Sequence, residues 1–302
     1  MPSSRRVAIL GATGQLGSDL VRAAAARNID AVPLGHEDVE VTDAGSLKRA
    51  FDRVRPGVVI NAAAFHQVDR CEEDPHEAYR VNAVGALLVA RAARDVGARC
   101  VFVSTDYVFD GAKPPTANGH LTTDTAYTEA DPVHPLNVYG LSKAAGEQLV
   151  AQANEDHLVV RVSSLFGVAG ARGKGGNFIE AILKKAREGG PLKVVSDQWM
   201  TPTYTADAAD TMLKLALSDA VGTVHVTNDG GCTWHALAEA AVALAALDVP
   251  VEPVPAATYP SKARRPRNSA LDTARLSSLL GAPLRPWREA LQAYLRAKGH
   301  VN

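Results

Sequence analysis

The stretch VAILGATGQLG, residues 7–17, decides the fold. Four apolar residues run straight into Gly11, Gly14 and Gly17, and the residues that follow, QLGSDLVRAAAARN, carry a helical apolar repeat. A strand passing through glycines into a helix can turn tightly and bring its backbone close to an anion. The helix start then offers free N–H groups with partial positive charge. The turn reads as a phosphate cradle. Its spacing is G-x-x-G-x-x-G rather than the G-x-G-x-x-G of the standard dinucleotide fingerprint, and it lacks the lysine of a P-loop.

The same unit recurs along the chain. AVPLG, GVVINAAA, CVFVST, LVVRVS and TVHVTN are short, continuous apolar runs, the pattern of strands covered on both faces. SLKRAFDRVR and AYRVNAVGALLVARAARDVG are helical patterns between them. Strand alternating with helix predicts an α/β fold, a doubly wound parallel sheet of Rossmann type with right-handed crossovers. Residues 1–165 are expected to form the dinucleotide-binding domain, with 193–227 returning to it. Beyond residue 165 the rhythm loosens into the glycine-rich GVAGARGKGGNF and the long, proline-rich VPVEPVPAATYPSKARRPRNS. Residues 166–192 and 228–302 are expected to build a smaller substrate-binding lobe over the carboxyl edge of the sheet, where open α/β sheets bind ligands.

Composition narrows the classes of function. Of 302 residues 46% are hydrophobic, enough for a large core, and 32 Lys and Arg against 33 Asp and Glu leave no net field to draw the chain to nucleic acid. MPSSRRVAIL enters a strand-like run without the apolar segment of a signal peptide, and no run reaches the roughly 18 apolar residues of a membrane span. The expectation is a cytoplasmic protein with no membrane partner, for which a homodimer is an allowed assembly. Cys71, Cys100 and Cys232 are odd in number and widely spaced, and no His, Cys or carboxylate cluster has metal-ligand spacing, so no metal is expected.

The second strand ends Leu34-Gly35-His36 without the acid that would bind a ribose 2′-hydroxyl, which leaves both NADPH and NADH open. His36 reads as a solvated loop histidine or a phosphate contact, and Asp43 as a helix N-cap or a contact to the adenine edge. Asn61 to Ala64 close the third strand with small residues suited to a backbone passing under a cofactor. Ser104, Thr105 and Asp106 close the fourth, so their side chains project toward the ligand crevice. In NVYGLSKAAGEQL, Tyr139 and Lys143 share a helix face. A phenol with pKa near ~10 is a poor acid at neutral pH unless a cation stabilises its phenolate. By itself the spacing fits equally a core tyrosine beside a snorkelling lysine.

Taken in order, the glycine turn, NAAA, STD and Y-x-x-x-K resemble the extended short-chain dehydrogenase/reductases. STDYVFDG, DPVHPLNVYGLSKAAGEQ, GGNF, SDQWMTPTYTADAAD and RPRNSALDTARL resemble the dTDP-4-dehydrorhamnose reductase family, from Val7 to about Leu295. That resemblance implies an NADPH- or NADH-dependent reductase of a nucleotide-linked 4-keto-6-deoxy sugar, foremost dTDP-4-dehydro-L-rhamnose. It implies Thr105, Tyr139 and Lys143 as the catalytic trio, with Gly11, Gly14, Gln15, Leu16, Gly17, Asp43, Ala62 and Ala63 joining Tyr139 and Lys143 along the cofactor. Hydride would pass to C4 while Tyr139 protonates the carbonyl oxygen held by Thr105, and Lys143 would keep the Tyr139 pKa down. Asn82 matches an asparagine on the helix beside the site.

For the sugar nucleotide, the expected contacts are Thr105, Asp106, Tyr107, Asn177, Thr201 and Arg265, the last because guanidinium meets diphosphate in a bidentate way. Trp199 is a candidate to stack on a base, whereas Trp234 reads as core. The run Thr105-Asp106-Tyr107 lacks the glutamate of the sugar-nucleotide dehydratases, which speaks against elimination. An epimerase, or a non-catalytic regulatory subunit on a Rossmann shell, is the alternative. Two departures fall where the sugar would sit: Ser164 and Leu165 stand where relatives commonly carry tryptophan, and the segment between residues 110 and 138 is long.

Overall fold

The computed structural model describes residues 6–116, 119–170 and 176–301. The first five residues of the N-terminal reading, and 171–175 of the glycine-rich stretch, lie outside the described residues. The chain opens as β1 (Val7–Leu10), α1 (Gln15–Ala26), β2 (Ala31–Leu34), α2 (Ala44–Val54) and β3 (Val58–Asn61). Two short helices, α3 (Val68–Glu73) and α4 (Pro75–Tyr79), lead through a π-helical turn (Arg80–Gly85) into α5 (Ala86–Asp95) and then β4 (Arg99–Thr105). After the long segment come α6 (Val138–Ala153), β5 (His157–Val162), β6 (Leu165–Phe166) and α7 (Phe178–Glu188). Next are β7 (Leu192–Val195), β8 (Trp199–Met200), β9 (Thr203–Tyr204), α8 (Thr205–Ala216) and β10 (Gly222–His225). The chain closes with β11 (Cys232–Thr233), α9 (Trp234–Leu244), β12 (Val251–Val254), α10 (Ala274–Leu280) and α11 (Trp287–Ala297).

Six strands form one parallel sheet in the order β10-β5-β4-β3-β1-β2. Successive strand residues face opposite sides. Val7 and Ile9 pack with Leu20 of α1 and Met212 of α8, while Ala8 and Leu10 pack with Phe51 of α2 and Val89 of α5. Both faces are covered, which is why the strand sequences are continuously apolar. From β1 the chain goes first to β2 on one side and then to β3 on the other. That reversal opens a crevice at the strands' carboxyl ends.

The return of 193–227 to the sheet is made by α8, which packs on α1, and by β10, which pairs with β5. The start of that segment goes elsewhere, because β7 pairs with β12 in a separate two-stranded sheet. In the other direction, α10 lies within the expected lobe yet seats Leu276 in the core under the sheet. The rest of the lobe gathers α7, α9 and α11 around Phe166, Tyr204, Trp287 and Tyr294. The long 110–138 segment is pinned where it is described: Tyr127 stacks on Phe109 at 4.2 Å, and Lys113 pairs with Asp131 at 2.7 Å.

Candidate active site

A cleft of about 770 Å³ runs along the carboxyl edge of the sheet, from the first glycine turn to the lobe. Its floor at one end is backbone. Gly11 has φ +72°, and a Cβ there would sit 2.9 Å from the Ala63 nitrogen, so the turn after β1 lies directly on the chain leaving β3. A Cβ on Gly17 would run into the Gly11 carbonyl oxygen, which is how α1 starts so close beneath the turn. Gln15 Nε2 donates to the Leu165 carbonyl at 3.2 Å across the cleft. Gln15 Oε1 and Ser104 Oγ are buried without a protein hydrogen-bond partner, and both residues line the cleft. Orphaned buried polar atoms beside a glycine cradle fit a dinucleotide.

Asp43 caps α2, accepting the Gly45 N–H at 2.8 Å, and is not on the cleft wall. The wall at that point is made by Val39, Glu40 and Val41, with His36 exposed at the margin 3.7 Å from Glu40. Thr13, His66 and Arg80 also line this half. Of the two roles read for Asp43, the N-cap is the one formed here.

The middle of the cleft holds the three residues singled out as a trio. Thr105 ends β4 and accepts the Tyr107 N–H at 3.2 Å, starting a single 3₁₀ turn. Tyr139 lies in the first turn of α6, whose start is held by Asn137, accepting from Gly140 N at 2.8 Å, and by Glu72, accepting from Val138 N at 2.8 Å. Asn82, in the π-helical turn, donates to Ser142 Oγ at 3.0 Å and to the Phe65 carbonyl at 2.9 Å, tying α6 to the loop after β3. Lys143, 1% exposed, donates to the Val103 carbonyl at 2.6 Å, and its Nζ lies 3.9 Å from the centroid of the Phe102 ring. Burial pulls its pKa down to about 7, with Glu147 opposing. Burial pushes the Tyr139 phenol up instead, and the group opposing that rise is the Thr105 hydroxyl. The geometry thus directs the Lys143 ammonium to a strand carbonyl and makes Thr105 the group that eases Tyr139 ionisation.

At the lobe end most of the expected contacts are already engaged. Asp106 is 3% exposed and accepts from Thr105 at 3.0 Å, Ser163 at 2.9 Å and Ser269 at 2.6 Å. Burial lifts its pKa to about 6 against those three hydrogen bonds. Tyr107 lines the cleft, its ring edge-on to Tyr139 at 6.2 Å. Arg265 lies off the cleft wall, paired with Asp69 at 3.0 Å and reaching the Tyr107 phenol. Asn177 lines the cleft, but its side chain caps α7 at Glu180 N and donates to Tyr294 Oη at 3.0 Å. Thr201 is fully buried away from the cleft, its hydroxyl unpartnered. Trp199 sits in the β8–β11 pair off the wall, whereas Trp234 lines the cleft beside Phe178, ring centroids 4.8 Å apart. Ser164, with φ +44°, and Leu165 also face it. Among the described residues no group of three or more His, Cys, Asp or Glu is placed to hold a metal, and no helix is long and apolar enough to cross a membrane.

A parallel doubly wound sheet, a glycine turn on its first strand and a Tyr-x-x-x-Lys helix meeting one cleft define a protein of the extended short-chain dehydrogenase/reductase class. The comparisons narrow this. The model of the RmlD substrate binding domain matches residues 5–299, and the chain belongs to that family. It is 38% identical over 301 residues to a dTDP-4-dehydrorhamnose reductase of Mycobacterium tuberculosis, covering 97% of this chain and 93% of the relative. It is 35% identical over 293 residues to the spore coat polysaccharide biosynthesis protein SpsK of Bacillus subtilis, covering 97% and 98%. The crystal structure of a Bacillus anthracis dTDP-4-dehydrorhamnose reductase in complex with NADP superposes with a TM-score of 0.88 at 33% identity, covering 98% of this chain and all of that one.

Proposed function

We propose that the protein is an NADPH- or NADH-dependent reductase of a nucleotide-linked 4-keto-6-deoxy sugar, with dTDP-4-dehydro-L-rhamnose as substrate and dTDP-L-rhamnose as product. The observation that carries this is the meeting of Thr105, Tyr139 and Lys143 in one cleft with the glycine turn. Relatives bearing the name dTDP-4-dehydrorhamnose reductase, and the neighbour crystallised with NADP, support the same substrate and cofactor class. A regulatory shell has no use for a complete trio, and this favours turnover. The working place of such an enzyme is the cytoplasm, where nucleotide sugars are made.

The nicotinamide, when bound, supplies the hydride. Tyr139 supplies the proton: burial keeps its phenol protonated at neutral pH, so it stands ready for the oxygen of the reduced carbonyl. Lys143, with a pKa of about 7, is placed to return a proton to that end of the cleft. Gly11, Gly14, Gln15, Leu16 and Gly17, with Ala62 and Ala63, hold the pyrophosphate side. Tyr107 and Asn177 face the sugar, and Arg265 takes the diphosphate in exchange for Asp69. Elimination is disfavoured, because both Asp106 oxygens are engaged by hydroxyls and Tyr107 stands where a dehydratase has its second carboxylate. Residues 6–165 with α8 and β10 form the cofactor unit, and α7, α9 and α11 the substrate lobe.

The test is loss of reduced-nicotinamide absorbance when the purified protein meets dTDP-4-dehydro-L-rhamnose and a panel of other 4-keto sugar nucleotides, with NADPH and then NADH. Oxidation of neither cofactor by any of them would sink the reading. Tyr139→Phe is expected to lower turnover by roughly 10²–10⁴ while leaving the cofactor Kd within about twofold.

A further inference from the structure

Two aromatic side chains stand on the lobe side of the cleft with no part in the proton transfer. Phe178 is the first residue of α7 and Trp234 the first of α9. Side-chain caps fix the start of each helix: Asn177 accepts from Glu180 N at 3.1 Å, and Thr233 accepts from Ala236 N at 3.1 Å. The two rings meet with centroids 4.8 Å apart at 62°, an edge-to-face corner in which they do not cover each other. Behind, they pack on the lobe core through Ile182, Leu237 and Val242; in front, both line the cleft, and both are only half-buried. The Trp234 indole N–H has no hydrogen-bond partner among the described residues, whereas a tryptophan serving as core usually finds one.

We infer that Phe178 and Trp234 form the nucleobase subsite, the corner on which the flat base of the sugar nucleotide stacks. This rests on the reductase reading, and the layout of the cleft gives the direction. The keto carbon has to lie at Tyr139, and the side of the cleft made by the glycine turn and the chain leaving β3 fits the cofactor. The nucleoside diphosphate therefore extends the other way, past Leu165 and Phe166 of β6, to the corner where α7 and α9 begin. A base is flat and aromatic with polar edges: its face matches an open ring, and a carbonyl on its rim is an acceptor for the indole N–H. Rings already held by capped helices and a packed core need little ordering when a ligand arrives, so little of the contact is lost to that cost. The two tryptophans thereby exchange roles. Trp199, which the sequence offered for a base, stands off the wall, and Trp234, which it offered for the core, stands on it.

The test is binding, measured apart from turnover. The full-length chain would be titrated with dTDP, with NADP⁺ present to fill the cofactor half, and both the Kd by calorimetry and the tryptophan fluorescence followed. The chains compared are wild type, Trp234→Phe, Trp234→Leu, Phe178→Leu and Trp199→Phe. A stacked base quenches an indole, so dTDP should quench wild type and Trp199→Phe, and the quench should vanish in Trp234→Phe. Trp234→Leu and Phe178→Leu should each weaken dTDP roughly 5- to 100-fold while leaving inorganic pyrophosphate, which has no base, within about twofold. Should the leucine variants not fold, the quench in wild type and Trp199→Phe against Trp234→Phe alone decides. Wild-type turnover is assayed alongside: its absence with every 4-keto sugar nucleotide sinks the reductase reading, whereas turnover with dTDP affinity unmoved by both leucine variants sinks the subsite alone. A raised KM for the sugar nucleotide without weaker dTDP binding would put the sugar on the rings and overturn the assignment.

Discussion

The two ends of the cleft are built by different means. At the glycine turn the wall is main chain: Gly11 lies on Ala63, Gly17 lies under Gly11, and side chains are excluded because no room exists for them. At the lobe the wall is side chains with prior engagements: Asn177 caps α7, and Asp106 gathers three hydroxyls. A wall of backbone demands particular residue types and so leaves a mark in sequence. A wall of engaged side chains takes its shape from partners as much as 163 residues away, such as the Ser269 hydroxyl donated to Asp106, and leaves much less of one.

Lys143, between the two ends, gives the largest effects that would probe this contrast. Lys143→Met is expected to lower turnover by roughly 10²-fold or more, as loss of a proton-handling group does. It also has a signature in stability. The lysine titrates at about 7 when folded against an ordinary value of 10.5, so between those limits the unfolded chain binds the extra proton. Wild-type stability from this group therefore rises with pH across that window and is least at pH 7 and below. The thermal midpoint of Lys143→Met minus that of wild type should be most positive near pH 7 and shrink toward pH 10. A flat difference would mean the lysine is not buried in the way described.

Gly17→Ala tests the backbone wall. Its Cβ meets the Gly11 carbonyl, and overpacking of this kind typically costs about 1–3 kcal/mol. That cost falls on the cradle, so NADPH titrated by fluorescence should bind roughly 10- to 100-fold more weakly. Unchanged binding would show that the turn has slack. Thr201→Val tests the packing behind the lobe end of the cleft, with the smallest effect expected. The valine replaces a buried, unpartnered hydroxyl with a methyl group of the same shape, so the thermal midpoint should hold or rise slightly and the substrate KM stay within about twofold. A markedly higher KM would return Thr201 to the substrate contacts.

The same contrast explains which residues were legible. Gly11 and Gly17 were readable because close approach forbids anything larger. Thr105, Tyr139 and Lys143 were readable as a set through the resemblance of the ordered motifs, and the strand end and helix face that carry them do meet at the crevice. Asp43 carried two readings because an N-cap and a ligand contact want the same residue type at the same position; the fold shows the cap formed, with Glu40 and Val41 on the cleft wall. Thr201, with no pattern to place it, went to the core.

By itself the sequence determined the parallel sheet, its order of strand and helix and the glycine turn, and it offered Thr105, Tyr139 and Lys143 as candidate reacting side chains. Each of these follows from periodicity, from steric exclusion, or from chemistry only a few residue types perform. The tertiary structure decided who partners whom: that β7 joins β12 and leaves the main sheet, that Arg265 lies with Asp69, and that the Thr105 hydroxyl donates to Asp106. Hydrogen bonds between distant segments depend on ångström-scale placement, and local spacing in the chain carries no record of it.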